Sequence, residues 1–106
     1  VTNPRLDAMR AMLDKNPENA LAHFGLANEL MKVGEAGEAA AHYEAYLQRF
    51  DDEGNGWGRL AEAYVGLGRA DDARSALDRG IAAARRFGHA GLAAELEGRL
   101  EELDEA

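Results

Sequence analysis

An all-α chain of short helical hairpins is what this sequence predicts, and three observations carry that reading. Alanine and leucine, the strongest helix formers, dominate the stretches between glycines, while the β-branched residues a sheet would need are scarce. Glycine closes apolar-periodic stretches at Gly34, Gly68 and Gly88, where a left-handed residue ends a helix. Only two prolines, Pro4 and Pro17, interrupt the chain. Taken in order, Asn3-Pro4 reads as an N-cap with proline in the first turn and opens a helix over 4–15. Asn16-Pro17 repeats that signature and opens a helix over 18–33, closed by Gly34. Helices over 36–50, 55–67 and 70–87 follow, and 89–104 completes the chain.

Length and charge narrow the function classes. At 106 residues there is room for one domain. Cysteine is absent, which excludes disulfides and thiolate zinc sites and fits a reducing compartment, so a cytoplasmic protein is expected. Twelve basic residues against 20 acidic ones give a net charge of −8, which argues against nucleic-acid binding. No apolar run approaches the roughly 20 residues of a membrane span, and VTNPRLDAMR lacks the pattern of a signal peptide, so no membrane contact is expected.

A repeat organises the chain. Sliding it by 34 residues sets Leu26 on Leu60, Ala27 on Ala61, Gly34 on Gly68, Ala36 on Ala70 and Ala39 on Ala73. Leu30 meets Tyr64, Val33 meets Leu67, Tyr43 meets Leu77 and Leu47 meets Ile81. The matches fall on two halves of a hairpin, with glycine at the turn and alanine where helices touch. A further shift places Met9 on Tyr43 and Leu13 on Leu47, so residues 4–16 read as the second half of an earlier repeat.

These residues resemble the tetratricopeptide repeat family. Residues 54–87 supply its pattern as Trp57, Leu60-Ala61, Tyr64, Gly68, Ala73, Leu77 and Gly80. Residues 20–53 supply His23, Leu26-Ala27, Leu30, Gly34, Ala39 and Tyr43. The resemblance implies a right-handed superhelical stack of antiparallel helix-turn-helix repeats, an α-solenoid. Its parts would be a half repeat (3–16), repeats over 20–53 and 54–87, and a capping helix over 89–105. Two departures stand out. Tyr46 occupies a site where the family has a small residue, which would widen local helix packing, and Asp51 and Arg85 stand where proline is usual.

At about 100° per residue, His23, Leu26, Ala27, Leu30 and Val33 share the side that faces Ala39, Tyr43 and Leu47. Leu21, Phe24, Asn28 and Met31 fall opposite, and an apolar second stripe must be covered or must bind something. In the resembling family this stripe lines the concave surface that holds segments of partner proteins. The 34-residue shift adds Asn55, Gly58, Glu62 and Val65, flanked by Lys32 and Arg59. The expected partner-binding set is therefore Leu21, Phe24, Asn28, Met31, Lys32, Asn55, Arg59, Glu62 and Val65. Phe24 is its candidate exposed anchor, because aromatics dominate binding hot spots. Leu21 and Met31 are equally explained by packing between neighbouring helices. Gly58 and Gly66 either admit a partner's backbone or reflect a glycine-rich stretch. The family's carboxylate clamp is incomplete here, since Phe24 replaces its lysine and a third repeat is absent, but Lys32 and Arg59 suit one acidic side chain.

Chemistry is sparsely signalled. His23, His42 and His89 lack the short spacing of metal ligands, and His23 takes the place of a core aromatic. No HExxH, phosphate-binding glycine loop or GxSxG is present, and Ser75 has no base nearby in sequence. Asp51-Asp52 and Asp71-Asp72 lie at helix starts, where negative charge suits the dipole. No enzyme activity, cofactor or metal is expected. The closing segment carries Leu92, Leu96, Leu100 and Leu103 on one stripe and six acidic residues against one arginine from Glu95 onward. A terminal cap with a solvated outer face accounts for both, and an acidic docking patch is the alternative. The functional expectation is a non-enzymatic scaffold that binds a peptide or helical segment of another protein. The alternative is a homo-oligomerisation module, for example a homodimer, using the same stripe or the open N-terminal end.

Overall fold

The structure is a computed structural model that describes residues 3–105. It contains six α-helices: α1 Pro4–Lys15, α2 Ala20–Lys32, α3 Ala36–Arg49, α4 Asn55–Gly66, α5 Ala70–Arg86 and α6 Ala90–Glu105. No strand occurs among the described residues, and each helix packs chiefly on its neighbours in sequence. This arrangement is the stack of antiparallel hairpins that the periodicity implies.

Local chemistry accounts for the helix ends. Asn3 accepts a hydrogen bond from the Leu6 amide at 3.2 Å, and Pro4 begins α1 with the first-turn amide it lacks. The second Asn-Pro pair behaves differently from the expectation. Asn16 ends α1, Pro17 lies in the turn, and Asn19 caps α2 by accepting from the Ala22 amide at 3.1 Å. Two asparagines compete for one cap, and the one whose carboxamide reaches a third-residue amide prevails. The turns after α2, α4 and α5 share one geometry. Gly34, Gly68 and Gly88 take φ of 81°, 72° and 77°, and the following amide reaches back to Leu30, Tyr64 and Ala84 carbonyls respectively.

The core repeats as the helices do. Leu26, Ala27 and Leu30 of α2 and Leu60, Ala61 and Tyr64 of α4 are buried, facing Ala39 and Tyr43 of α3 and Ala73 and Leu77 of α5. Val33 departs from its expected place on the core side: it caps α2 and is 50% exposed, because the chain turns away there. Tyr46 also differs from its expected effect. Its ring is buried, its hydroxyl donates to Asp52 at 2.5 Å, and its bulk is met by Gly56, where a Cβ would lie 2.7 Å from the ring. Asp52 is itself buried and accepts from the Gly54 and Gly56 amides at 2.7 and 2.8 Å, which fixes the entry into α4. Its neighbour Asp51 pairs with Arg86 at 2.6 Å.

Helix α6 lies along α5 and inserts Leu96, 1% exposed, into a notch between two glycines. A Cβ on Gly58 would stand 2.9 Å from Leu96, and one on Gly80 would stand 3.0 Å from it and 2.9 Å from Trp57. Close helix approach within the molecule therefore explains Gly58. Leu92, Leu100 and Leu103 pack against the same core from the edge of α6. Gly66 has ordinary room, since an added Cβ would lie 3.6 Å from Ala36.

Candidate functional site

The sequence-derived residues lie on α2 and α4, and the structure brings some of them together. Arg59 of α4 donates to the Asn28 carboxamide oxygen at 3.2 Å and lies 5.8 Å from the centre of the Phe24 ring. The same Asn28 oxygen accepts from the Tyr43 hydroxyl at 2.6 Å, so a core tyrosine holds the carboxamide in place. Burial of that tyrosine pushes its hydroxyl above the usual range, and it stays a proton donor. Phe24 corrects the expectation of an exposed anchor: it is half-buried, edge-on to Tyr43 at 5.9 Å and tilted against Tyr46 at 4.6 Å. The aromatic floor of α2 and α3 reaches the surface through it.

The other residues divide. Asn55, Arg59 and Glu62 line a cleft of about 200 Å³ against α6. Glu62 and Val65 line a second cleft of about 340 Å³ with Ala61, Leu77, Arg99, Glu102 and Leu103. Val65 is 53% exposed at its mouth. Leu21 is 66% exposed on the first turn of α2, whereas Met31 packs partly against the core. Lys32 is engaged by Glu29 at 3.1 Å, and Glu29 also holds Arg5 at 3.0 Å. That pairing within one helix, its lysine exposed, is worth about 0–1 kcal/mol.

Helix α6 contributes residues that the sequence places in a cap or an acidic docking patch rather than on this face. Arg99 donates to the Gly58 carbonyl at 2.9 Å, and with Leu92 and Glu95 it forms the far wall of the smaller cleft. The signal was available: one more 34-residue shift carries Gly58 to Leu92, Glu62 to Leu96 and Val65 to Arg99. A histidine pair also went unnoticed. The Nδ1 atoms of His23 and His42 lie 2.9 Å apart, although 19 residues separate them in sequence. Ser75 is exposed on α5, and among the described residues no cluster of three metal-ligating side chains occurs. No helix among the described residues is long and apolar enough to cross a membrane.

Comparison with known proteins gives this arrangement its family. The tetratricopeptide repeat model matches residues 30–96, from the end of α2 into α6. The chain belongs to the tetratricopeptide repeat family. A TPR repeat-containing protein of Pseudomonas aeruginosa is 31% identical over 101 residues, covering 95% of this chain and 96% of that one. Among solved structures, this repeat protein is similar to PcrH, crystallised in complex with the chaperone binding region of PopD. That match has a TM-score of 0.85 and 23% identity, over 94% of this chain and 76% of that one. It is also similar to BPP2914 from Bordetella parapertussis, with a TM-score of 0.79 and 27% identity over 94% and 87% of the two chains. The resemblance first read from Leu26-Ala27, Leu60-Ala61 and the turn glycines thus stands as family membership, and the fold follows it.

Proposed function

We propose that this tetratricopeptide repeat protein is a non-enzymatic scaffold that holds a segment of a partner protein across the face formed by α2, α4 and α6. One observation carries the reading. Seven of the ten arginines hold a carboxylate within 3.0 Å; of the three with no carboxylate partner among the described residues, Arg79 lies over the Trp57 ring, and Arg59 and Arg99 lie on this face. Both are oriented by neutral oxygens, those of Asn28 and Gly58, with Glu62, Glu95 and Glu102 lining the same clefts but none of them in an ion pair with either arginine. Two clefts with leucine and valine in their walls lie beside them. A cation, Arg99, at the apolar cleft of Val65, Leu77 and Leu103 suits a segment carrying an acidic and an apolar side chain. PcrH, of the same fold, holds a region of PopD, which supports a protein segment as the occupant.

The organisation proposed with it is a half repeat, two repeats and a terminal helix, in which α6 supplies a third wall of the binding face as well as cover for α5. Self-association is the second reading, favoured by Leu21 and Met12, 66% and 53% exposed near the N-terminal end. Photo-crosslinking separates the two. A photoreactive phenylalanine analogue placed at Leu21 or Val65, both exposed, should capture a different protein, while one at Ser75 on α5 should not. Crosslinks only to a second copy of this chain would favour self-association, and equal capture from Ser75 would count against the face.

A further inference from the structure

We infer that His23 and His42 form a proton-operated clasp, which admits one proton while the α2–α3 hairpin is closed and opens when a second arrives. The geometry dictates where the hydrogens sit. The Pro17 carbonyl, 2.8 Å from His23 Nε2, can only accept, so that nitrogen carries a hydrogen. Neutral His23 then has a bare Nδ1, and His42 Nδ1–H must donate to it across 2.9 Å. Neutral His42 is left with a bare Nε2, which faces Glu38 Oε2 at 3.7 Å.

The first added proton has one place to go, His42 Nε2, where it turns toward the Glu38 carboxylate. Hydrogen bonds then join the Pro17 carbonyl to both rings, and charged His42 makes an ion pair at 3.7 Å with Glu38, which Arg10 of α1 holds at 2.9 Å. A second proton would put N–H against N–H between the two Nδ1 atoms, and the rings must part. Parting releases the turn before α2, because His23 sits in the first helical turn and holds Pro17.

The charged groups around the pair are Arg10 from α1, Glu18 from the turn and Glu38 from α3. Glu18 is itself held by Arg49 at 2.9 Å, and Arg59 from α4 turns instead to Asn28 and Phe24. Burial, together with the facing His23, keeps the His42 imidazole below its ordinary value despite the Glu38 carboxylate. A depressed folded value means the unfolded chain binds the proton more readily. The contribution of neutral His42 is therefore present above about pH 6.5 and lost as the pH falls through the folded value. Glu38 and Glu18 are held below the usual carboxylate range by Arg10 and Arg49, so their losses come later, below about pH 4.5.

Histidine-detected nitrogen NMR on the full chain between pH 8 and 4.5, paired with amide exchange, tests the clasp. At pH 8 His23 should be the Nε2–H tautomer and His42 the Nδ1–H tautomer. Only one proton should enter the pair before the amides of the first turn of α2 lose protection. In His42→Gln the carboxamide can donate to neutral His23 and, turned over, accept from charged His23, so the opening should vanish from this range. Nε2–H tautomers on both rings, two independent proton uptakes with protection retained, or opening of the variant at the wild-type pH would each overturn the clasp.

Discussion

Truncation after Gly88 should lower the melting temperature sharply and yield a protein that aggregates or forms new dimers. Leu77, Ile81 and Ala84 make a buried stripe on α5, and α6 covers it with Leu92, Leu96, Leu100 and Leu103. A leucine fully buried contributes roughly 1.5–3 kcal/mol, and the stability of a small domain is only about 5–15 kcal/mol. Removing one full and three partial burials thus takes away a large share of the whole. Replacing Glu101, Glu102, Asp104 and Glu105 with glutamine should leave melting nearly unchanged. Among the described residues only Asp104 of these four holds an ion pair, with Arg74, and an exposed pair of that kind is worth about 0–1 kcal/mol. Thermal denaturation with light scattering checks both variants. A truncated chain as stable and monomeric as the parent would mean that the leucines serve docking to another chain.

Gly80→Val should destabilise the fold by about 3 kcal/mol, while Gly98→Ala should stabilise it by up to about 1 kcal/mol. Both glycines sit inside helices, where alanine is ordinarily favoured. The difference is in what a side chain meets. At Gly80 even the first carbon falls 2.9 Å from Trp57 and 3.0 Å from Leu96, and the two further methyls of valine have nowhere to go. At Gly98 nothing lies within 4 Å. Urea denaturation of the pair reads the sign directly. If Gly80→Val were neutral, the notch that seats Leu96 would be no constraint on α6, and the glycine-rich composition would explain Gly58 and Gly80 better.

Helix number, order and limits were legible in the sequence to within two residues, because glycine termini and a 34-residue period are local signals. The exception at Asn16-Pro17 shows where local signals fail: two caps compete within four residues, and hydrogen-bond reach decides between them. The site was legible by register alone. Periodicity could place Phe24, Asn28 and Arg59 on one face, but it could not show Phe24 sinking onto Tyr43 and Tyr46, or Lys32 engaging Glu29. Such pairings join residues by side-chain reach, which spacing does not encode. The meeting of His23 with His42, and of Gly58 with Leu96, depends likewise on how closely helices approach.

The α2–α4–α6 face is proposed to bind a segment of another protein, while the core holds the fold. Arg59 is exposed and half-buried Phe24 lies beneath it, so changing both alters the face at its centre. The most direct measurement is quantitative capture of a partner from the native source by the parent chain and by Phe24→Ala combined with Arg59→Glu, with circular dichroism recorded on each. The parent should retain a stoichiometric partner, and the double variant should lose it with its helical signal unchanged. Undiminished capture by the double variant, or helicity that falls in step with capture, would contradict the account.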